Sequence, residues 1–500
     1  MKLLRHSLSR PNLYILISIL VIIFLRLWKA AEFFSFNFDE EYQASLAWSI
    51  VKDFHVIWIG VSASNIGYYL GPGFTYLNAF LFWLTKGDPI SLAFFSPFLG
   101  LLTTFSLYYI GKDLFSKKVG AYAMILYGGS TLLNWYDRRF WNPTPIPFIS
   151  IWIVYSLIKA QKDTRWLILT SILFASSFHV HLSLMLFVPL IAFAVIKKIK
   201  SIPLSTWILM IGCYLIITSP LMVFDVVHNF DNIRAPFKIF SKSETPLSTF
   251  GQASFISHGT VFLSSLGRIW FMNPYTNIQN EFNLGAHGVM SPGNPLLTLL
   301  SLVIMGWFFK HTLKKQNDPK LFISLASILL TIGFLLYPGY AAEYYQLGFL
   351  ALFPLIAGVF AEKIIPNKLA LILLTIFLIA NVYPHFTTTQ EQYGLLTRKK
   401  LITATMKYVG KSPYSLETYG KDPRKYHPYG GWRYLFKTYG RAPNQSFADE
   451  FFGWIYPDEI INTPSTLKVV IMEEKDYKTD VKPLVVFSEG AFKAYVFENK

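Results

Sequence analysis

Along the chain, apolar runs alternate with short polar stretches. A helix that crosses a bilayer needs roughly 20 mostly apolar residues, somewhat fewer where loops pinch in. About eleven stretches meet that requirement, at 13–28, 90–110, 119–133, 146–158, 166–178, 182–196, 202–223, 295–309, 321–336, 347–360 and 369–382. The expected fold class is therefore an all-α polytopic membrane protein with about eleven transmembrane helices. The first run follows Lys2, Arg5 and Arg10, as a signal peptide would. No small-residue cleavage site follows it; Arg26, Leu27, Trp28 and Lys29 do, so it is expected to stay as the first helix.

The polar gaps set an orientation. One series of short gaps carries Lys112, Lys117 and Lys118, then Lys159, Lys162 and Arg165, then Lys197, Lys198 and Lys200. It continues with Lys310, Lys314, Lys315 and Lys320, then Lys363 and Lys368. The alternate gaps 178–183 and 337–346 carry no Lys or Arg, and 134–145 carries only Arg138 and Arg139. Basic loops stay cytoplasmic, so the amino terminus is expected inside and the carboxyl terminus outside. Three larger pieces then fall on the outer face: 31–89, 225–292 and a tail from about residue 387. The first two are outer loops of a membrane domain, 1–386. The tail, 387–500, reads as a small α+β extracytoplasmic domain, with branched residues at 467–472 and 484–487 suggesting strands.

Composition narrows the class further. Hydrophobic residues make up 53% and charged residues 15%, whereas soluble domains carry about 25% charged residues. A soluble enzyme and a disordered chain are excluded. The net charge of +16 sits largely in the short basic loops, where topology and anionic membrane lipids account for it, so no nucleic-acid partner is expected. Cys213, inside an apolar run, is the one cysteine, so no intrachain disulfide forms.

Polar groups able to do chemistry collect on the outer side. The first outer loop opens with Phe36-Asn37-Phe38-Asp39-Glu40-Glu41-Tyr42. A helical pattern through Ala44, Leu46, Ala47, Trp48, Ile50 and Val51 follows, suited to lying along the interface. Asp39 as N-cap, with Glu40 and Glu41 on the helix dipole, is the ordinary explanation of the acids, and a capped helix end also fixes a carboxylate in space. Gly71-Pro72-Gly73 marks a turn before an apolar segment containing Tyr76. In the second short loop Arg138 and Arg139 stand between aromatic residues, beside Trp141, Asn142 and Pro143. Either they snorkel to lipid phosphates or they bind a substrate's phosphate, for which a planar guanidinium is suited. His179 and His181 reach one metal only if the backbone between them is extended. Glu343, Tyr344, Tyr345 and Gln346 form a further polar cluster on this face.

In order and on one membrane side, Asp39, Glu40, Tyr42, Gly71, Pro72, Arg138, Trp141, Asn142, Pro143 and His181 form a pattern. It resembles the C-type glycosyltransferase superfamily, specifically bacterial relatives of the protein O-mannosyltransferases and of the lipid A aminoarabinose transferase. The resemblance covers roughly residues 13–190 and implies transfer of a sugar from a polyprenyl-phosphate donor to a protein, lipid or glycan acceptor outside the cytoplasm. Asp39 is then expected as base of a single inverting displacement, with Glu40 orienting Asp39 or a sugar hydroxyl, and Arg138 together with Arg139 on the lipid phosphate. Substrate contacts are expected at Tyr42, Tyr76, Trp141, Asn142, His181, Glu343 and Tyr345. One departure is acidic Glu343, where such transferases often place a basic residue, so Arg26, Arg138, Arg139 or Arg268 must share the phosphate. No cofactor is required, and a divalent metal on His179, His181 and a first-loop acid is the alternative. The long second loop, with Arg234, His258, Arg268 and His287, is expected on the acceptor side. The competing classes are a flippase of lipid-linked sugars and an outer-face glycan ligase or polymerase; mid-membrane charges and an inverted repeat, marks of a transporter, are not seen in the sequence.

Overall fold

Apolar runs of this length fold as helices because a bilayer leaves backbone polar groups no other partner. The computed structural model describes residues 10–62, 67–238, 255–272, 293–314, 318–337, 339, 341–388, 390–419, 430–473, 477 and 480–499. The chain opens with α1 (Arg10–Leu27), then α2 (Ala30–Phe33), α3 (Phe38–Asp53) and α4 (Gly73–Thr85) in the first loop. Next come α5 (Ile90–Leu114), α6 (Lys117–Gly129), α7 (Thr131–Asp137), α8 (Ile146–Ala160) and α9 (Trp166–Ser177). They are followed by α10 (Val188–Lys198), α11 (Leu204–Val227), α12 (Asp231–Lys238) and α13 (Phe255–Arg268). The bundle ends with α14 (Pro295–Thr312), α15 (Pro319–Leu335), α16 (Leu347–Ile364) and α17 (Asn367–Thr387).

Every expected apolar run is helical. Among the described residues, six helical segments are long and apolar enough to cross a membrane: Ile90–Leu114, Leu182–Ser201, Leu204–Val227, Pro295–Thr312, Glu343–Ile364 and Asn367–Thr387. The run 119–133 is broken at Ser130, between α6 and α7. There the Ser130 hydroxyl donates to the Ile269 carbonyl at 2.7 Å and Asn381 accepts the Thr131 N–H at 2.9 Å, so side chains replace the helix ladder. Within 225–292, the second expected outer loop, α13 buries Val261, Phe262 and Leu266 in the main core.

The tail contains α18 (Leu395–Val409), β1 (Tyr414–Tyr419), α19 (Trp432–Tyr439), β2 (Gln445–Ser446), α20 (Asp449–Phe452), β3 (Leu467–Glu473), β4 (Val485–Glu489) and β5 (Phe492–Glu498). Its sheet runs in the order β2-β1-β3-β5-β4. The β1 pairings are parallel, while β5 lies antiparallel to both β3 and β4. Alternation along β1, buried at Tyr414, Leu416 and Thr418, puts one face against α18 and α19.

Two cores result. The larger runs through the helical bundle. The second joins the first outer loop to the tail: Phe34, Phe36, Ala44 and Ala47 pack with Leu395, Leu401, Trp432, Phe436, Val469 and Phe492. Ala44 and Ala47 of α3 are buried in this second core, while Trp48, Ile50 and Val51 pack against it only partly buried.

Candidate active site

Asn37, not Asp39, is the N-cap of α3. Asn at that position with Glu three residues later makes a capping box, and the Glu40 carboxylate accepts the Asn37 N–H at 3.0 Å. The three consecutive acids then diverge. Glu41 turns into the tail and accepts N–H bonds from Gly431 (2.7 Å) and Tyr434 (2.9 Å), capping α19. Glu40 is buried, with Arg139 Nε 3.3 Å from its carboxylate. Burial pushes the Glu40 carboxyl up from its ordinary value, and Arg139 works against that. Asp39 alone faces open space, 45% exposed, with Arg139 Nη2 at 3.6 Å.

Arg139 thus reaches both carboxylates, and its guanidinium lies 3.7 Å from the centre of the Trp141 ring. Trp141 meets Tyr344 edge-on at 4.6 Å, and His181 packs on Tyr344 and Tyr345 at 5.6 and 5.3 Å. An aromatic wall so begins at the ion cluster and runs to the mouth of α16. The Arg139 carbonyl accepts from Ser96 (2.8 Å) and Thr144 (2.6 Å), which fixes the loop. Gln43, one turn beyond Asp39, donates to Asn142 at 2.8 Å and accepts from Thr75 at 3.0 Å, tying α3 to that loop and to α4.

The other arginines are engaged elsewhere. Arg138, adjacent to Arg139, turns the opposite way and donates to the carbonyls of Leu25 and, at 2.9 Å, Trp28, stabilising the end of α1. Arg26 is buried against Asp137 at 2.7 Å. Arg268 pairs with Glu343, which also accepts from Tyr136 (2.9 Å) and Ser265 (2.5 Å). The acid at the mouth of α16 is therefore a buried partner of Arg268, and neither joins the open cluster. Of the four arginines expected to share a phosphate, Arg139 is the one beside Asp39.

Other expected contacts hold neighbouring segments. Tyr42 stacks on Phe452 of the tail at 5.4 Å, and the Tyr76 hydroxyl donates to the Ile57 carbonyl at 2.8 Å. His179 accepts from the Gly73 N–H at 3.0 Å through Nδ1 and meets the Ile217 carbonyl at 2.9 Å through Nε2, so both its ring nitrogens have protein partners. His181 caps the turn at Leu182–Phe187 through Nδ1. Among the described residues no group of three His, Cys, Asp or Glu is placed to hold a metal. Burial pushes His181 down to about 4, so it is neutral at pH 7. Arg234 is exposed on α12 and His258 is buried on α13, while His287 lies outside the described residues.

Gly71 explains the Gly-Pro-Gly motif: a Cβ there would sit 2.2 Å from His179 Nδ1. Sequence reasoning named Tyr344 only as part of a polar cluster, and it missed Gln43 and Arg398. Arg398 donates to the Phe36 carbonyl (2.9 Å), the Gly430 carbonyl (3.0 Å) and Asn37 Oδ1 (3.0 Å), so the tail grips the start of α3. Gly431, at φ 96°, allows this approach, because a Cβ would lie 2.1 Å from the Phe36 carbonyl oxygen.

An acidic helix end, an arginine and a row of aromatic rings thus stand together at one end of the helical bundle. The model of the dolichyl-phosphate-mannose-protein mannosyltransferase family matches residues 70–224, which hold Gly71, Arg139 and His181. The fold is similar to that of ArnT from Cupriavidus metallidurans bound to undecaprenyl phosphate, with TM-score 0.62, 11% identity and 97% of each chain covered. The apo form of the same protein gives TM-score 0.62, 10% identity and 98% of each chain. The Archaeoglobus fulgidus oligosaccharyltransferase in its apo form gives TM-score 0.47 and 11% identity, over 92% of this chain and 69% of that one. The sequence matches none of the curated proteins. The chain thus shares its fold with ArnT, and the mannosyltransferase family model matches less than half of its length.

Proposed function

We propose that the protein moves a sugar from a polyprenyl-phosphate donor to an acceptor on the outer face of the cytoplasmic membrane, by a single inverting displacement with Asp39 as base. The observation that carries this reading is the exposed Asp39 carboxylate beside Arg139, at the foot of an aromatic wall. The acceptor oxygen attacks the anomeric carbon, the bond from that carbon to the phosphate oxygen breaks, and Asp39 takes the hydroxyl proton. Glu40 holds Arg139, and Arg139 faces the phosphate as charge develops on the leaving group. Tyr344 and His181, both partly exposed, offer ring surface to the sugar, while buried Trp141 backs the Arg139 guanidinium. In this scheme Arg139 acts without Arg138, and Asn142 positions the loop through Gln43.

Support for the donor comes from the ArnT relative, whose structure holds undecaprenyl phosphate. A donor anchored in the bilayer by its tail has to be met at helix ends, and the Asp39 cluster is so placed. Eleven crossings, with the amino terminus inside and residues 387–500 outside, complete the arrangement. The test is a labelled polyprenyl-phosphate monosaccharide presented to the purified protein with Asp39→Asn alongside. Transfer should fall by two or more orders of magnitude in the variant, with unchanged thermal stability. Near-normal turnover by Asp39→Asn rejects Asp39 as base, and an intact sugar–lipid bond with the wild type indicates a flippase instead.

A further inference from the structure

Away from the Asp39 cluster, three helices end and one begins around a cleft of about 490 Å³. Helix α8 leaves the Arg139 loop at Ile146, and its far end, with those of α5 and α10 and the start of α15, lines this cleft. The cleft is thus at the opposite end of the bundle from Asp39. Its rim carries Lys159, Lys162, Lys197 and Lys198 against Asp113 and Asp318. Its floor is apolar, with Phe322 of α15 meeting Phe193 of α10 at 6.0 Å. Phe193 and Ile196 are exposed on the outer surface of α10, a segment apolar enough to cross the membrane.

Lysines at helix ends ordinarily offset the helix dipole and mark a cytoplasmic loop. Isolated lysines would explain themselves so, but here the two acids are already spoken for. Asp113 pairs with Lys159 at 3.1 Å. Asp318 caps α15 by accepting the Lys320 N–H at 2.9 Å, with Lys320 Nζ at 3.5 Å. Lys162 and Lys198 make no ion pair among the described residues, so their charge faces the cleft without a counter-ion from the fold. Basic pockets between membrane helices suit anionic lipid head groups. A cationic rim over an apolar floor that continues onto a lipid-facing helix fits a phosphodiester above its acyl chains.

We propose that this cleft binds the phosphodiester head group of an anionic phospholipid, with Lys162 and Lys198 on the phosphate and the acyl chains along Phe193 and Ile196. The site is separate from the proposed sugar transfer, and its test needs no turnover. The full chain is placed in nanodiscs holding equal phosphatidylglycerol and phosphatidylcholine, released gently into a mass spectrometer, and its retained lipids are counted. Retention should favour phosphatidylglycerol, and Lys162→Gln with Lys198→Gln should reduce that preference roughly 25-fold, at about fivefold per lysine. Lys310→Gln with Lys314→Gln removes the same charge elsewhere and should leave the preference intact. If the double variant folds poorly, Lys198→Gln alone should still give a loss of about fivefold. Equal loss with either pair, no preference in the wild type, or displacement of the lipid by millimolar glycerol phosphate would each overturn the proposal.

Discussion

Replacing Glu41 by Ala tests how the tail is held on helix α3. The substitution removes an acceptor shared by the Gly431 and Tyr434 N–H groups, at 2.7 and 2.9 Å, where the Glu41 side chain is buried. Hydrogen bonds to a charged group contribute about 1.5–3 kcal/mol each, and buried donors left unmatched cost a similar amount. The loss at the start of α19 should therefore come to roughly 3–5 kcal/mol. Glu41→Gln keeps one oxygen acceptor but not the charge, and should cost about half of that. Amide hydrogen exchange in detergent micelles reports the effect locally. Backbone amides of Trp432–Tyr439 should exchange on the order of a hundredfold faster in Glu41→Ala, while those of α6 and α16 keep wild-type rates. Wild-type exchange at α19 would refute the assignment of Glu41 as its cap.

Other substitutions probe the same end of the bundle. Gly71→Ala should lower stability by about 1–3 kcal/mol, because His179 is pinned at both nitrogens and cannot yield; thermal unfolding of Gly71→Ala with and without His179→Ala checks this, the second change restoring part of the loss. Arg268→Met strands a buried carboxylate and should cost about 3–5 kcal/mol, with Arg268→Met/Glu343→Met less destabilised than Arg268→Met alone in the same assay. For His181, burial depresses the folded-state value from 6.5 to about 4, so its contribution is present above pH 6.5 and is lost as pH falls towards 4. His181→Asn, which keeps a capping acceptor, should lose less stability over that window, by at most about 3 kcal/mol in a pH series of denaturation midpoints.

Much of the bundle could be read from the sequence because a single physical requirement, enough apolar length, writes each helix locally. The interruption at Ser130 was not readable, since its replacement partners, Ile269 and Asn381, are distant in the chain. The same distance hid the tail's role. Arg398 meets Asn37, and Glu41 meets Gly431, across more than 350 residues, and neither pair leaves a periodic mark. Strands β3 and β4 announced themselves through branched residues, whereas β1 and β5 were passed over. At the site, residue type pointed to Asp39, Glu40 and Arg139, and the fold brings the Arg139 guanidinium within 4 Å of both carboxylates. Sequence could not separate Arg138 from Arg139, because the chain turns at the end of α7 and sends neighbouring side chains to opposite sides.

The joint core of the first loop and the tail bears on how the protein comes into being. Synthesis runs from the amino terminus, so residues 38–53 leave the ribosome long before Leu395, Trp432 and Val469, against which Ala44 and Ala47 are buried. Until the last strands arrive, that helix lacks the surface that shields it and the Arg398 grip on its first turn. A nascent chain already threaded through the bilayer is therefore still without a finished acidic end, and assembly of the whole precedes competence.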